Sequence, residues 1–314
     1  MFKSIPYLFI KPFDNWYKIE LFRRALYIFL FLNTLSLLPV AEEIWGYNGV
    51  SGARGWDFSI PTYQQGSFAI INFLSHPINN SQTWIFVVFI VGQLTFLITG
   101  FLRFLPKLSS IMVYFFTVNL FLKGHLMFTG GEVLLNLILF YIMFIQNNNS
   151  PKFKFNWRIN SNEITQFSFF QNLLNNTFFY MILIQVCTVY FFSSIYKLMD
   201  ENWLSGEALM YISSIDVFSS GMNRFLFAEN PNIALIFTYF SLAYQCLFPI
   251  LVWVKKIKGF YLLIGILMHL GIAFGMGLFS FGIIMCLVYI PFLSTNQLSG
   301  IMLKFKRQEK KTTI

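Results

Sequence analysis

The sequence predicts an all-α protein, a polytopic helical bundle embedded in a membrane, and three observations carry that prediction. Hydrophobic residues make up 56% of the chain and charged residues 11%, whereas an ordinary soluble domain holds about 25% charged residues. The mean hydropathy is +0.62. The apolar residues also gather into separate runs, each near the roughly 20 residues that cross a hydrocarbon core of about 30 Å as a helix.

Residues 1–24 mix basic and aromatic side chains, with Phe13, Trp16, Tyr17 and Leu21 recurring at helical spacing. That pattern reads as an in-plane amphipathic helix feeding the first span. No small-residue cleavage site follows, so this N-terminus is expected to be retained. Residues 25–40 form the first predicted transmembrane helix. Residues 41–83 hold Glu42, Glu43, glycines and prolines and read as a long extramembrane loop, with room for a short helix over 67–74. Further spans are predicted at 84–102, 108–122, 133–145, 177–196, 232–254, 259–276 and 278–293. The count is about eight, with seven and nine also compatible. The organisation is therefore an interfacial segment (1–24), a transmembrane domain (25–295) and a basic cytoplasmic tail (296–314), whose residues 304–311 read as an anchor to anionic lipid.

Charge placement tests the count. With eight spans and both termini cytoplasmic, the inner side takes every basic residue except Arg54, Lys123, Lys197 and Arg224. That placement of the basic residues obeys the positive-inside rule, and most acidic residues, among them Glu132, Asp200, Glu201 and Glu207, fall outside. The net charge of +9 thus follows from membrane topology. It is no nucleic-acid footprint, because the basic residues sit in separate short loops. The lipid bilayer is the expected partner and no nucleic acid is. Enrichment in Phe, Ile, Lys and Asn points to an AT-rich genome, hence to a bacterial cytoplasmic (inner) membrane.

Cys187, Cys246 and Cys286 lie in apolar runs without a CxxC pair, and His76, His125 and His269 are dispersed without HxxxH spacing. Neither a disulfide framework nor a metal site is predicted. No phosphate-binding glycine loop or nucleophile elbow is present.

What chemistry the chain offers lies in polar residues inside or beside the apolar runs. Tyr190, Ser193, Ser194 and Lys197 recur at i, i+3, i+4 and i+7 and share one helical face. Lys197 has two readings. Its ammonium can snorkel to the membrane surface with Trp203 as an interfacial anchor. It can instead face the interior, where desolvation makes a neutral amine available as a base. His125, Thr129, Gly130, Gly131, Glu132 and Asn136 sit at the entry to the fourth span, with Glu132 and Asn136 neighbours at i, i+4. Glu132 reads equally as a helix N-terminal carboxylate and as a functional group. Tyr244 and Gln245 interrupt the sixth span. Gly265, His269, Ala273 and Gly277 recur at four-residue steps beside Gly271 and Gly275, a spacing that permits close helix approach. His269 at mid-membrane is costly unless paired or lining a cavity. Residues 202–214 read as a re-entrant or surface helix.

Ser193-Ser194-Ile195-Tyr196-Lys197-Leu198, followed by Trp203 and Gly206-x-Ala208, resembles the signature of the HTTM family, which is related to the membrane domain of vitamin K-dependent gamma-glutamyl carboxylase. The Thr129–Glu132 turn and His269-Leu270-Gly271-Ile272 add to the likeness, which spans about residues 15 to 295. The resemblance implies a lysine base acting on a hydroquinone, a role that falls on Lys197. With it come His269 and Glu132 as further catalytic candidates, and Tyr190, Ser194, Trp203, Gly206, Gln245, Asn136 and His125 as residues lining a substrate or quinone site. The chain departs from the carboxylase pattern in three ways. Four residues separate Leu198 from Trp203, one more than the motif has; Gly131-Glu132 stands where the carboxylase presents Asn-His; and no large lumenal domain follows the last span. Carboxylation of peptide glutamate is therefore not predicted outright. Two functions stay open: a quinol-linked, carboxylase-like membrane enzyme, and a non-catalytic accessory protein for maturation or export of a secreted peptide. A transporter is a weaker third.

Overall fold

The structure, a computed structural model, describes residues 7–46, 83–124, 128–146 and 161–294. Among these residues every regular element is helical and there is no strand. They are α1 (Tyr7–Ile10), α2 (Trp16–Leu37), α3 (Ala41–Trp45), α4 (Thr83–Phe101), α5 (Pro106–Lys123), α6 (Gly130–Phe144), α7 (Ser161–Leu198), α8 (Glu201–Ser205), α9 (Ala208–Ser214), α10 (Pro231–Leu251), α11 (Lys258–Gly275) and α12 (Phe279–Leu287), with short 3-10 and π turns between them. All eight predicted apolar runs fall on helices.

Among the described residues, four helical stretches are long and apolar enough to cross a membrane: Trp16–Trp45, Ser168–Leu198, Pro231–Leu251 and Lys258–Gly275. Shorter apolar helices cover Phe86–Phe101, Pro106–Leu122, Gly130–Phe144 and Phe279–Phe292. Their outward faces carry large apolar side chains such as Val87, Val91, Ile236, Phe240, Leu267 and Phe274. Apolar surface on this scale calls for lipid, and these are the features of an integral membrane protein.

The chain divides into two compact units, one of residues 1–22 with 166–314 and one of residues 23–165. In the second, α4 and α5 form a hairpin closed by Arg103 and Leu105 in the left-handed backbone region, with Pro106 opening α5. Two glycines let its helices approach. A Cβ on Gly92 would strike the Phe116 ring, and one on Gly100 would strike Tyr27 and Ser109. Ile44 and Trp45 pack with Phe86, Phe89, Ile90 and Leu120, and the Trp45 indole N–H donates to the Leu120 carbonyl at 2.9 Å. At the C-terminal end of α6 the Ile145 carbonyl accepts from the buried Arg23 guanidinium at 2.6 Å, which places a cation at a helix C-terminus.

The first unit is built on α7. Its buried Asn176 side chain donates to the backbone carbonyls of Phe9, Lys11 and Asn172, and the side-chain Oδ1 of Asn172 accepts from the Phe13 amide. These asparagines therefore satisfy backbone that α1 leaves open. In the described part of the N-terminal stretch, α1 is followed by α2, which runs from Trp16 to Leu37 in one piece because no proline or glycine interrupts it. α11 lies close against α12, where a Cβ on Gly282 would meet the His269 carbonyl and Ala273. The expected seam on α11 is narrower than its spacing implied: Gly265 and Ala273 are at packed positions, but Gly271 faces open space and Gly277 (φ +70°) makes the turn into α12.

The reading of 202–214 as one surface or re-entrant helix resolves into two short helices. α8 is capped by Asp200, whose carboxylate accepts from the amides of Asn202 and Trp203, and it ends at Gly206 with φ +83°. A side chain at Gly206 would meet that left-handed strain and also Leu235 and Tyr239. Tyr239 donates to the Leu204 carbonyl at 2.7 Å and Thr238 accepts from the Leu209 amide at 3.3 Å, so both helices are tied to α10. The expected helix over 67–74 and the basic tail over 296–314 lie outside the described residues.

Candidate functional site

The polar face of α7 meets side chains from three other helices in the first unit. Tyr190, 2% exposed, shares a hydrogen bond of 2.6 Å between its hydroxyl and Nε2 of His269 on α11, itself 2% exposed. The same hydroxyl bonds the Tyr289 hydroxyl, which in turn pairs with the Tyr244 hydroxyl of α10 at 3.1 Å. Tyr261 closes the cluster by donating to the Tyr244 carbonyl. The rings stack as well, Tyr190 on Phe248 at 4.0 Å and Tyr244 on Tyr261 at 4.6 Å between centroids. Gly265 is what makes room, since a Cβ there would collide with the Tyr244 and Tyr289 hydroxyls. Nδ1 of His269 is buried without a partner among the described residues. A buried imidazole that bonds through one nitrogen only keeps one proton-exchanging position unused.

One helical turn from Tyr190 toward the end of α7, Ser193 donates to Oε1 of Gln245 at 3.0 Å, and the buried Ser194 hydroxyl returns to the Phe191 carbonyl. Seven residues from Tyr190, about 10 Å along the axis, Lys197 is half-buried with its Nζ 3.9 Å from the centroid of the Trp203 ring. That is close contact for a cation over an indole face. Among the described residues Lys197 forms no ion pair and no hydrogen bond; Asp200, three residues on, is engaged in capping α8.

Of the residues singled out from sequence, Tyr190, Ser194, Lys197, Trp203, Gly206, Gln245 and His269 thus belong to one unit, with Tyr190–His269 and Lys197–Trp203 in direct contact. Glu132 and Asn136 belong to the other unit. There Glu132 completes a capping box, its Oε2 accepting from the Thr129 amide at 2.8 Å and the Thr129 hydroxyl at 2.6 Å. Glu132 and Asn136 also line a cavity of that unit. His125 lies outside the described residues. Sequence reasoning missed Tyr289 and Tyr261 and left Tyr244 as an isolated interruption. The available signal was that each is a phenol inside an apolar run, where its hydroxyl must find a partner. No group of three or more His, Cys, Asp or Glu side chains able to hold a metal ion occurs among the described residues.

The helical fold and these contacts define the class as an integral membrane protein with a buried tyrosine–histidine cluster. In comparisons with known proteins, no family model, no curated protein and no solved structure matches the chain.

Proposed function

We propose that this chain is an HTTM-like protein of a bacterial inner membrane, with eight spans and both termini cytoplasmic, that acts on a lipid-soluble hydroquinone at Lys197. The observation that carries the reading is the 2.6 Å contact between Tyr190 and His269, on the helical face that ends at Lys197. In the step proposed, the neutral Lys197 amine takes the proton of a quinol hydroxyl: the O–H bond breaks, an N–H bond forms, and the electron pair stays on oxygen as a quinolate. No electron is transferred in that step. Trp203 offers an aromatic face beside the amine, and the Tyr190–His269 pair, whose tyrosine lies about two helical turns away on the same helix, offers buried groups that can exchange protons. The test is to purify the protein from its own membranes and extract its lipids, comparing wild type with Lys197→Ala. A quinone retained by wild type and lost from the variant is the expected result; retention by both would remove Lys197 from the site.

A second reading has its own observation. Beyond α9, Val217 (82% exposed), Met222 (74%) and Phe225 (61%) form an uncovered apolar stretch outside the long helices. This would be the surface on which an accessory protein receives a secreted peptide during its maturation or export. A polypeptide co-purifying with both samples, with no quinone in either, would favour it.

A further inference from the structure

The second unit contains a polar cavity of about 40 Å³, room for about three water molecules. Its polar lining is Asn33, Thr34, Gln93, Thr117, Glu132 and Asn136, drawn from α2, α4, α5 and α6; apolar side chains complete the wall, and among the described residues none of the lining is basic. Part of this polarity is spent internally. Thr34 donates to Oε1 of Gln93 at 3.0 Å, and Nε2 of Gln93 donates to the Thr117 hydroxyl at 2.9 Å, so the Gln93 amide is locked between two threonines.

What is left over is oxygen. Oδ1 of Asn136 is buried with no partner. Glu132, 6% exposed, uses Oε2 on Thr129 and has no partner for Oε1 among the described residues. Thr34, having given its proton to Gln93, presents lone pairs. Glu132 sits at the N-terminus of α6, where the helix dipole and the two Thr129 donors offset part of its charge, and its second oxygen is left without a protein donor among the described residues. None of the described lining residues is basic, so a bound cation would complete the compensation. Hard monovalent cations take such oxygen ligands. A divalent ion would be left undercompensated by one carboxylate, since divalent sites of this kind draw on several.

We infer that this cavity binds a monovalent alkali cation, probed below as sodium, with the Glu132 carboxylate and the Asn136 carbonyl oxygen among its ligands. The inference goes beyond the function proposed above and does not depend on Lys197.

The test follows thermal unfolding of the purified full chain in detergent at neutral pH. Total salt is held constant while choline chloride is replaced stepwise by sodium, lithium or potassium chloride. The wild-type midpoint should rise and saturate with sodium, as ligand linkage demands. Glu132→Gln should abolish the response while keeping the helix cap, because glutamine serves the capping box as glutamate does. Asn136→Leu should raise the half-saturating concentration roughly tenfold, the scale of one lost polar contact. Glu43→Gln, at an exposed carboxylate of α3, should change nothing. Should the cavity variants fail to fold, equilibrium dialysis of wild type with radioactive sodium should give one ion per chain. A wild-type midpoint that is the same in all four chlorides, a response that persists in Glu132→Gln, or dialysis without bound sodium overturns the inference.

Discussion

Tyr190→Phe probes the cluster most directly, because it removes one hydroxyl and keeps the ring. The stack on Phe248 at 4.0 Å survives, so the loss is polar and not one of packing. Tyr289 retains Tyr244 at 3.1 Å and is not orphaned. His269 is, because Nε2 loses its partner and Nδ1 has none. A buried polar group left unsatisfied costs about 1–3 kcal/mol, whereas hydrogen bonds between membrane helices average about 0.6 kcal/mol in double-mutant cycles. The larger figure should hold here, since the stranded imidazole is buried and the variant creates no new donor. The assay is unfolding of detergent-solubilised protein by SDS, run as a cycle with His269→Leu, which removes the group that Tyr190→Phe strands. The double variant should cost at least about 1 kcal/mol less than the sum of the singles. Additivity within about 0.3–0.5 kcal/mol, or a Tyr190→Phe protein as stable as wild type, would refute the reasoning.

Three further outcomes can be checked. Gly265→Ala should destabilise by about 1–3 kcal/mol through overpacking against the two phenols, and Gly271→Ala, which meets open space, should not, as the same unfolding assay would read. Trp203→Leu should cost about 0.5–1 kcal/mol by removing the ring under Lys197; most of that loss should vanish in a Lys197→Met background. On α9, a side-chain hydrogen bond to Glu207 and that carboxylate's charge push the exposed Tyr211 phenol up from its ordinary value. A phenol raised on folding contributes stability below its unfolded value near pH 10 and loses it as pH rises through the folded value. Alkaline difference spectra of wild type against Tyr211→Phe should therefore show one late-titrating phenol, which moves down in Glu207→Gln.

The helices were legible because the apolar runs are long and their ends carry ordinary punctuation: Pro106 and Pro231 open α5 and α10, and Thr129 caps α6. Which helices are long enough to span was less legible, since α7 begins well before its apolar stretch and α12 stops short of the expected end. The Tyr190–His269 contact was half legible. Helical spacing put Tyr190 on the face of Lys197, and the cost of a mid-membrane histidine marked His269, but pairing across 79 residues is a tertiary fact. Tyr289 and Tyr261 were illegible for a different reason. A phenol in an apolar run looks like any other aromatic until its hydroxyl's partner is known. The Glu132 cap was readable from Thr-x-x-Glu alone, and the cavity behind it was not, because Gln93 and Thr117 come from helices distant in sequence.

Hydrogen-bond accounting separates polar residues that hold this fold from those that have something left to offer. Inside apolar helices an unspent donor or acceptor is costly, so most are consumed: Thr34, Gln93 and Thr117 by one another, Nδ2 of Asn176 by three carbonyls, Ser194 by its own helix. After that subtraction few groups remain among the described residues of these sites: the Lys197 amine, with only an indole face; Nδ1 of His269 and Oδ1 of Asn136; and the Glu132 oxygen that Thr129 leaves unused. The first two lie in one unit and the last two in the other. One set can donate or exchange protons and the other can only accept, which is why a protic organic substrate is assigned to Lys197 and a bare cation to Glu132. Exchanging those assignments would give a cation an amine and no anionic oxygen, and would set a quinol hydroxyl in a space of about 40 Å³, too small for an aromatic ring.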